Sequence, residues 1–323
     1  MVQFLQESLI KDLLHKSADA PQQILYVTPN TTLRNAIEVL AKNKILAVPV
    51  RAEEDVNYIG WFSIINAVSF ILNVYSESSD VEDPGVWTTW CKDIDTLTHR
   101  GVQLGDKTVE EAMDKTWIAP VSAVGSVFEL IDSVFTTKKH IHRVCVCNDE
   151  NDNYVRAIVT QSDVIQFLYK NALEKKILGH LGNLRVGEMP KLRKHFETES
   201  PISMSVNALA IHAFWLINFH HVHGVAIVEP SGKLIANLSA SDIKGLSSGS
   251  LPFSSLLLPL KEFMVKSKLS TPITATLDNT FFEIVQKLAV NRIHRLWLVD
   301  YHGKPTGVIT LTAIMQFIKD LDN

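Results

Sequence analysis

Residues 291–314 read NRIHRLWLVDYHGKPTGVITLTAI. The triplet Ile293-His294-Arg295 leads into an apolar run, Leu296–Val299. A polar turn follows at His302–Gly303, then a second apolar run, Gly307–Thr310, then an amphipathic stretch, Ala313–Leu321. Immediately upstream, Phe281–Val290 carries apolar residues at helical spacing. The expected order is helix, strand, turn, strand, helix, with period 3.6 giving way to short apolar strands and back again.

This pattern recurs, and its recurrence decides the fold. The segment ending in SASDI at Ile243 aligns with the one ending in LTAI at Ile314 without a gap, at an offset of 71 residues. That offset places His223 on His294, Gly232 on Gly303, Ala236 on Gly307 and Ser239 on Thr310. A third copy starts at SVFELIDSVF and carries His142-Arg143 in the His–Arg place. A fourth runs TTLRNAIEVLAKNKILAVPV, with Leu46-Ala47 in that place. There Leu33, Ala36, Ile37 and Leu40 mark an amphipathic helix, ILAVPV and YIGWF read as strands, and Ser63 opens a second helix. A weaker echo precedes each copy: IKDLL at Ile10, VEEAM at Val109, VGEM at Val186 and LKEFM at Leu260.

Alternating short strands and helices indicate an α/β class with some parallel pairing. The repeats span 8–76, 107–173, 184–247 and 258–323. Stretches 77–106, 174–183 and 248–257 join them. One unit of this size has too small a core to stand well alone. Two pairs are therefore expected, the first repeat with the second and the third with the fourth, each burying a shared sheet face. The 77–106 insertion is acidic at its start and holds Trp87 and Trp90, which read as cover for the first module.

The chain has 323 residues, 46% hydrophobic and 20% charged, with a formal net charge of −4. That balance argues against a general electrostatic nucleic-acid binder. Three cysteines, Cys91, Cys145 and Cys147, fit a reducing compartment better than a disulfide framework. Cys145 and Cys147 alternate on an expected strand and read as core thiols. There is no basic leader with an apolar core, no membrane-length apolar run and no lipidation signal, so cytoplasm or nucleus is the expected setting and no membrane contact is expected. No G-x-S-x-G, P-loop or strand-linked G-x-G-x-x-G is present, so no enzyme is proposed by the motifs. His220, His221 and His223 cluster in sequence, but the cysteines are not at zinc spacing and no metal is expected. Phe214, Trp215 and Phe219 lie on an expected helix and read as core or inter-module packing rather than a cofactor box.

The repeated unit resembles a CBS (cystathionine-β-synthase) repeat. Four in one chain resemble the gamma subunit of AMP-activated protein kinase. NLSASDIKGL, VTQSDVIQFL and residues 291–314 are especially similar to plant gamma-like CBS proteins of the sucrose-nonfermenting-related kinase system. The resemblance implies two paired modules in a disc around a central solvent channel, with AMP, ADP or ATP bound in clefts between repeats and no required cofactor. It implies a non-catalytic regulatory subunit partnered by the catalytic and scaffold subunits of a Ser/Thr kinase. A rival from the same resemblance is the yeast four-repeat group that inhibits a type 2A-like phosphatase: an interaction scaffold with degenerate clefts and no nucleotide.

Two motifs carry the candidate site. The first is [ST]-x-x-D before each repeat's last helix: Ser63…Asn66, Thr160…Asp163, Ser239…Asp242 and Thr310…Ala313. A carboxylate there can accept bonds from both ribose hydroxyls. The same spacing is also a helix capping box, which needs no ligand. Asp163 and Asp242 are the candidate ribose holders, and Thr160, Ser239 and Thr310 the candidate ribose or phosphate contacts. The departures at Asn66 and Ala313 leave the placement of carboxylates unlike that of animal gamma subunits, which keep them in repeats one, three and four. The second motif is Ile-His-Arg at the first strand. Arg offers a planar fork and His one or two donors for phosphate oxygens. By resemblance, His142, Arg143, His294 and Arg295 hold phosphates. Lys138, Lys139 and Arg292 stand nearby and read as solvated charges.

Overall fold

A computed structural model describes residues 1–14, 24–52, 57–76, 105–116, 120–137, 141–148, 155–197, 200–244, 253–269 and 271–322. Cys91, Trp87, Trp90, Lys138 and Lys139 lie outside the described residues, as does most of the 77–106 insertion.

Each repeat is built around an antiparallel hairpin. The four hairpins are β1 (Ala47–Arg51) with β2 (Tyr58–Ser63), β4 (Arg143–Cys147) with β5 (Ala157–Thr160), β7 (Gly224–Val228) with β8 (Leu234–Ser239), and β10 (Arg295–Val299) with β11 (Pro305–Thr310). In three repeats a short third strand pairs in parallel with the hairpin's first strand: β3 (Val121–Ser122), β6 (Ser203–Ser205) and β9 (Thr274–Ala275). In the first repeat a single parallel bridge, Val27 to Val50, takes that place. The parallel pairing expected from the sequence therefore comes only from these short strands. The turns explain two repeated glycines. Gly232 and Gly303 adopt φ of 85° and 76°, a region costly for other residues. Three of the hairpins also shift register at the same place, between Val50/Arg51, Ile227/Val228 and Leu298/Val299.

The helix before each hairpin starts on a capped turn in three repeats. Thr32, Ser126 and Thr280 accept the backbone N–H of Asn35, Glu129 and Glu283. The first N–H of each such helix would still lack a partner. A carbonyl from one of the short echo segments supplies it in all four repeats: Lys107 O to Leu33 N at 2.7 Å, Ser8 O to Val127 N, Leu258 O to Ala210 N and Leu184 O to Phe281 N, the last three at 2.9 Å. The reverse bonds are also made, at 2.7–2.9 Å, by Val109 N, Ile10 N, Leu260 N and Val186 N. The echo preceding the first repeat thus docks on the second, and the echo preceding the second docks on the first. The third and fourth repeats exchange theirs likewise.

The chain forms two compact units. One comprises Met1–Ile24, Ile118–Pro201 and Pro272–Asn323; the other comprises Leu25–Trp117 and Ile202–Thr271. The second and fourth repeats therefore share one core, and the first and third share the other. This corrects the expected pairing of neighbours. In each unit helices of the two repeats meet over one face of their sheets. In the first unit Val164, Ile165 and Leu168 of helix Gln161–Lys175 are buried in one cluster with Ile284, Val285 and Leu288 of helix Phe281–Asn291. In the second, Ala67, Val68 and Ile71 of helix Ile64–Ser76 join Phe214 and Ile217 of helix Ala210–Phe219. Neighbouring repeats exchange the echo segment. Helix boundaries otherwise follow the expectation within a few residues, the last helix running Leu311–Asp320.

Within β4, Val144 and Val146 enter the core, while Cys145 and Cys147 are buried on the alternate face. Burial pushes the Cys145 thiol up to about 12. Phe214 is core, as expected, and meets Phe263 edge-on at 5.9 Å. Phe219 departs from the expectation: it stacks on Trp215 at 4.5 Å but is 59% exposed. No helix of the described residues is long and apolar enough to cross a membrane.

Two outcomes follow. Phe281 is fully buried and packs against Phe317 at 5.2 Å. Phe281→Ala is expected to cost about 3–5 kcal/mol in denaturant unfolding, and a loss below 1 kcal/mol would contradict the shared core. Cys145 should resist iodoacetamide at pH 8 in the native protein, because its thiolate is scarce and its sulfur buried, and should label fully once unfolded. Peptide mapping checks this, and native labelling at the unfolded rate would overturn it.

Candidate functional site

The two motifs, separate in sequence, meet in space. Register in the hairpins makes Arg143 the direct cross-strand partner of Thr160, and Arg295 that of Thr310. Directly opposed residues of an antiparallel pair have Cβ atoms about 4.5–5.5 Å apart. In the second unit the same register opposes Gly224 to Ser239 and Ala47 to Ser63, so no arginine stands there.

The residue in the His place is fixed by one repeated bond. The backbone N–H that follows the hydroxyl residue donates to its carbonyl in all four repeats: Gln161 to His142 at 3.1 Å, Leu311 to His294 at 3.1 Å, Ala240 to His223 at 3.2 Å and Ile64 to Leu46 at 3.0 Å. Helix start and strand entry are thereby tied at one end of each hairpin. In the first unit, two full α-helices begin there, Gln161–Lys175 and Leu311–Asp320. Their N-termini favour anionic groups.

Both carboxylates are built into caps. Oδ2 of Asp163 accepts the Thr160 N–H and the Thr160 hydroxyl, each at 2.7 Å. Oδ2 of Asp242 accepts the Ser239 N–H at 2.7 Å and its hydroxyl at 3.0 Å. Asn66 reproduces this with Oδ1, which accepts from Ser63 N at 2.8 Å and Ser63 Oγ at 2.5 Å. A carbonyl oxygen thus suffices for the cap, and the negative charge of Asp163 and Asp242 is surplus to it. Ala313 offers no such oxygen and is buried in the core. Thr310 still caps its helix by accepting the Ala313 N–H at 3.1 Å.

The first unit holds His142, Arg143, Thr160, Asp163, His294, Arg295 and Thr310; the second holds Ser239 and Asp242. Two further residues, not anticipated from the sequence, tie the hairpin ends of the first unit together. The Gln161 amide is 3% exposed. It donates to the Ile141 carbonyl at 3.4 Å and to the Thr312 hydroxyl at 3.2 Å, and the Thr312 hydroxyl lies 3.3 Å from its carbonyl oxygen. Nδ1 of His142 lies 3.3 Å from that same oxygen. A carbonyl only accepts, so this contact places the proton on Nδ1. His142 is half-buried and oriented, whereas His294 is exposed. The signal for Gln161 was available: the other three repeats have Ile64, Ala240 and Leu311 at that position. Burial also pushes the Arg143 guanidinium down to about 10, because a desolvated cation is disfavoured. Arg292 closes helix Phe281–Asn291 in a left-handed conformation, φ 50°, and Lys44 and His221, two residues before Leu46 and His223, adopt the same conformation one residue past their helix caps. Among the described residues no three His, Cys, Asp or Glu side chains come together as a metal site.

The CBS-domain model matches residues 11–73, 118–170 and 260–320, more than half of the sequence. The chain belongs to the CBS-domain family. The segment 203–243, between the second and third matches, folds into the same strand–helix–hairpin unit. Among curated proteins, the chain is similar to the SNF1-related protein kinase regulatory subunit gamma-like PV42b of Arabidopsis thaliana, 24% identical over 98% of this chain and 95% of that one. It is also similar to Protein SDS23 of Kluyveromyces lactis, 25% identical over 92% of this chain, but it spans only 60% of that protein. Among solved structures, Methanocaldococcus jannaschii MJ1225, described in relation to g-AMPK, matches with a TM-score of 0.71 at 16% identity, over 96% of this chain and 99% of that one. A conserved protein of Pyrococcus horikoshii matches at 0.55 and 13% over the same shares. These structures share the fold of this chain.

The Gln161 tie gives a direct test. Gln161→Leu, the residue type of the fourth repeat, strands the Thr312 hydroxyl and the Ile141 carbonyl. It should cost about 1–3 kcal/mol and release the Nδ1–H tautomer of His142, read by nitrogen NMR. Unchanged stability and tautomer would contradict the tie. Asp163→Asn should unfold at nearly the wild-type denaturant concentration, whereas Asp163→Ala should lose about 1 kcal/mol as the Thr160 N–H and hydroxyl lose their acceptor.

Proposed function

We propose that this CBS protein is a non-catalytic regulatory subunit that binds AMP, ADP or ATP at its hairpin ends and thereby controls a Ser/Thr protein kinase complex. The reading rests above all on the register that sets Arg143 against Thr160 and Arg295 against Thr310, at helix N-termini of one unit. Fork donors, hydroxyls and N-terminal dipoles are the chemistry a phosphate needs. His142, Arg143, His294 and Arg295 would hold phosphates. Asp163 and Asp242 would hold ribose with the charge that their caps do not require. Thr160, Ser239 and Thr310 would contact ribose or phosphate. The likeness to the plant kinase gamma-like subunit over nearly its whole length supports kinase catalytic and scaffold subunits as partners, in the cytoplasm or nucleus. To regulate, the nucleotide must bind two states of the complex unequally.

The second reading is an interaction scaffold that controls a phosphatase or another partner without nucleotide. Two observations favour it: both carboxylates already serve as caps, and Ala313 removes one altogether. Calorimetric and thermal-shift titration with AMP, ADP and ATP separates the two. Asp163→Asn and Asp242→Asn are the right variants, because they keep the cap as Asn66 does. A ligand at 100 times its Kd should stabilise by about 2.7 kcal/mol. Saturable binding, weakened by the Asn variants and by His142→Ala/His294→Ala with folding intact, is the expected result. No binding by folded wild type at millimolar nucleotide would favour the scaffold.

A further inference from the structure

Lys244 occupies a position that the other repeats keep apolar. Counted from the hydroxyl residue that opens the last helix, it is the sixth residue of its motif. Its counterparts are Val68, Ile165 and Met315, at 1%, 1% and 0% exposure. A lysine in a core position of a repeated unit is costly unless its ammonium reaches a polar partner. Here the side chain crosses from the third repeat to the first. Its Nζ donates to the Ile45 carbonyl at 2.7 Å.

That carbonyl is at a telling place. Ile45 stands immediately before Leu46-Ala47, where the second repeat carries His142-Arg143 and the fourth His294-Arg295. Leu46 O is itself tied to Ile64 N at the start of the next helix. Lys244 therefore delivers a cation to the strand entry of the repeat that lost its own His–Arg pair. In the first unit the equivalent carbonyl, Ile141 O, is served by the neutral Gln161 amide, and the cations come from the strand itself. The two units reach the same composition, one polar donor on the carbonyl and a cation at the strand entry, by different residues.

We propose that Lys244 is a phosphate-recognising residue of the second unit, supplying the charge that Leu46-Ala47 cannot. The ligand class is a nucleoside phosphate, so this deepens the reading above and rests on it. The Ile45 carbonyl holds the ammonium at that strand entry, and an ammonium is a compact point charge suited to a phosphate oxygen. Asp242 lies two residues back and opposes the downward shift that burial imposes on the ammonium. The pair would set a carboxylate for ribose beside a cation for phosphate within one turn of chain. His223 and the hydroxyls of Ser239 and Ser241, which are 2.6 Å apart, belong to the same hairpin end.

The plain alternative is that Lys244 only fastens the first repeat to the third. Two variants distinguish these roles. Lys244→Gln keeps a donor for the Ile45 carbonyl without the charge, and Lys244→Met restores the residue type of the fourth repeat. Calorimetry would compare ATP, AMP and adenosine on wild type and both variants. Binding at this unit is the part of the isotherm that Asp242→Asn weakens. The expected result is a loss of about 10-fold or more in ATP affinity there, a smaller loss for AMP, and adenosine affinity within twofold of wild type. Equal losses for adenosine and ATP would assign Lys244 a fastening role and overturn the proposal. Unchanged ATP binding in both variants would overturn it too while leaving the nucleotide reading intact. Wild type that binds no adenylate would overturn both.

Discussion

One backbone hydrogen bond underlies the candidate site. It runs from the N–H after the hydroxyl residue to the carbonyl in the His place, at 3.0–3.2 Å in every repeat. It ties a helix start to a strand entry. Everything chemical at the hairpin end depends on that tie: the hydroxyl, the carboxylate or amide three residues on, and the side chains entering the opposite strand. Because the bond is between backbone groups, side chains can diverge around it. Leu46, His142, His223 and His294 all sit on the same scaffold.

A second set of backbone bonds explains the chain's wiring. Each echo segment gives a carbonyl to a helix N-terminus that would otherwise hold an orphan donor, and it does so for the neighbouring repeat. Neighbours are therefore linked by exchanged segments. The apolar stripes of the helices are then free to form cores between the second and fourth repeats and between the first and third. Exchange and core packing are separate interactions, and they pair the repeats differently.

Much of this was legible in the sequence. The 71-residue offset located the hairpins, and Gly232 and Gly303 marked turns whose positive φ requires them. The spacing at Thr160 and Ser239 admitted both a capping box and a ribose-binding carboxylate, and both carboxylates are built into caps. The partner of each repeat was not legible. Helical periodicity identifies a buried stripe but not what buries it, and four similar stripes admit several pairings. Cross-strand register was also hidden. Nothing in the spacing of Arg143 and Thr160 says that they face each other until the hairpin turn is built. Gln161 and Lys244 carried a readable signal, a polar residue in a column of apolar ones, which only comparison of all four repeats exposes.

The two units carry different side chains at their hairpin ends. The first concentrates arginine and histidine at two hairpin ends; the second has a carboxylate, hydroxyls and one lysine from across the unit. Amide hydrogen exchange with and without saturating ATP tests this most directly. Peptides covering 141–147, 157–165, 293–299 and 305–315 should gain protection in wild type, and lose that gain when Arg143 and Arg295 are replaced by Ala. Full occupancy without protection at these hairpin ends, or protection confined to other segments, would contradict the central claim.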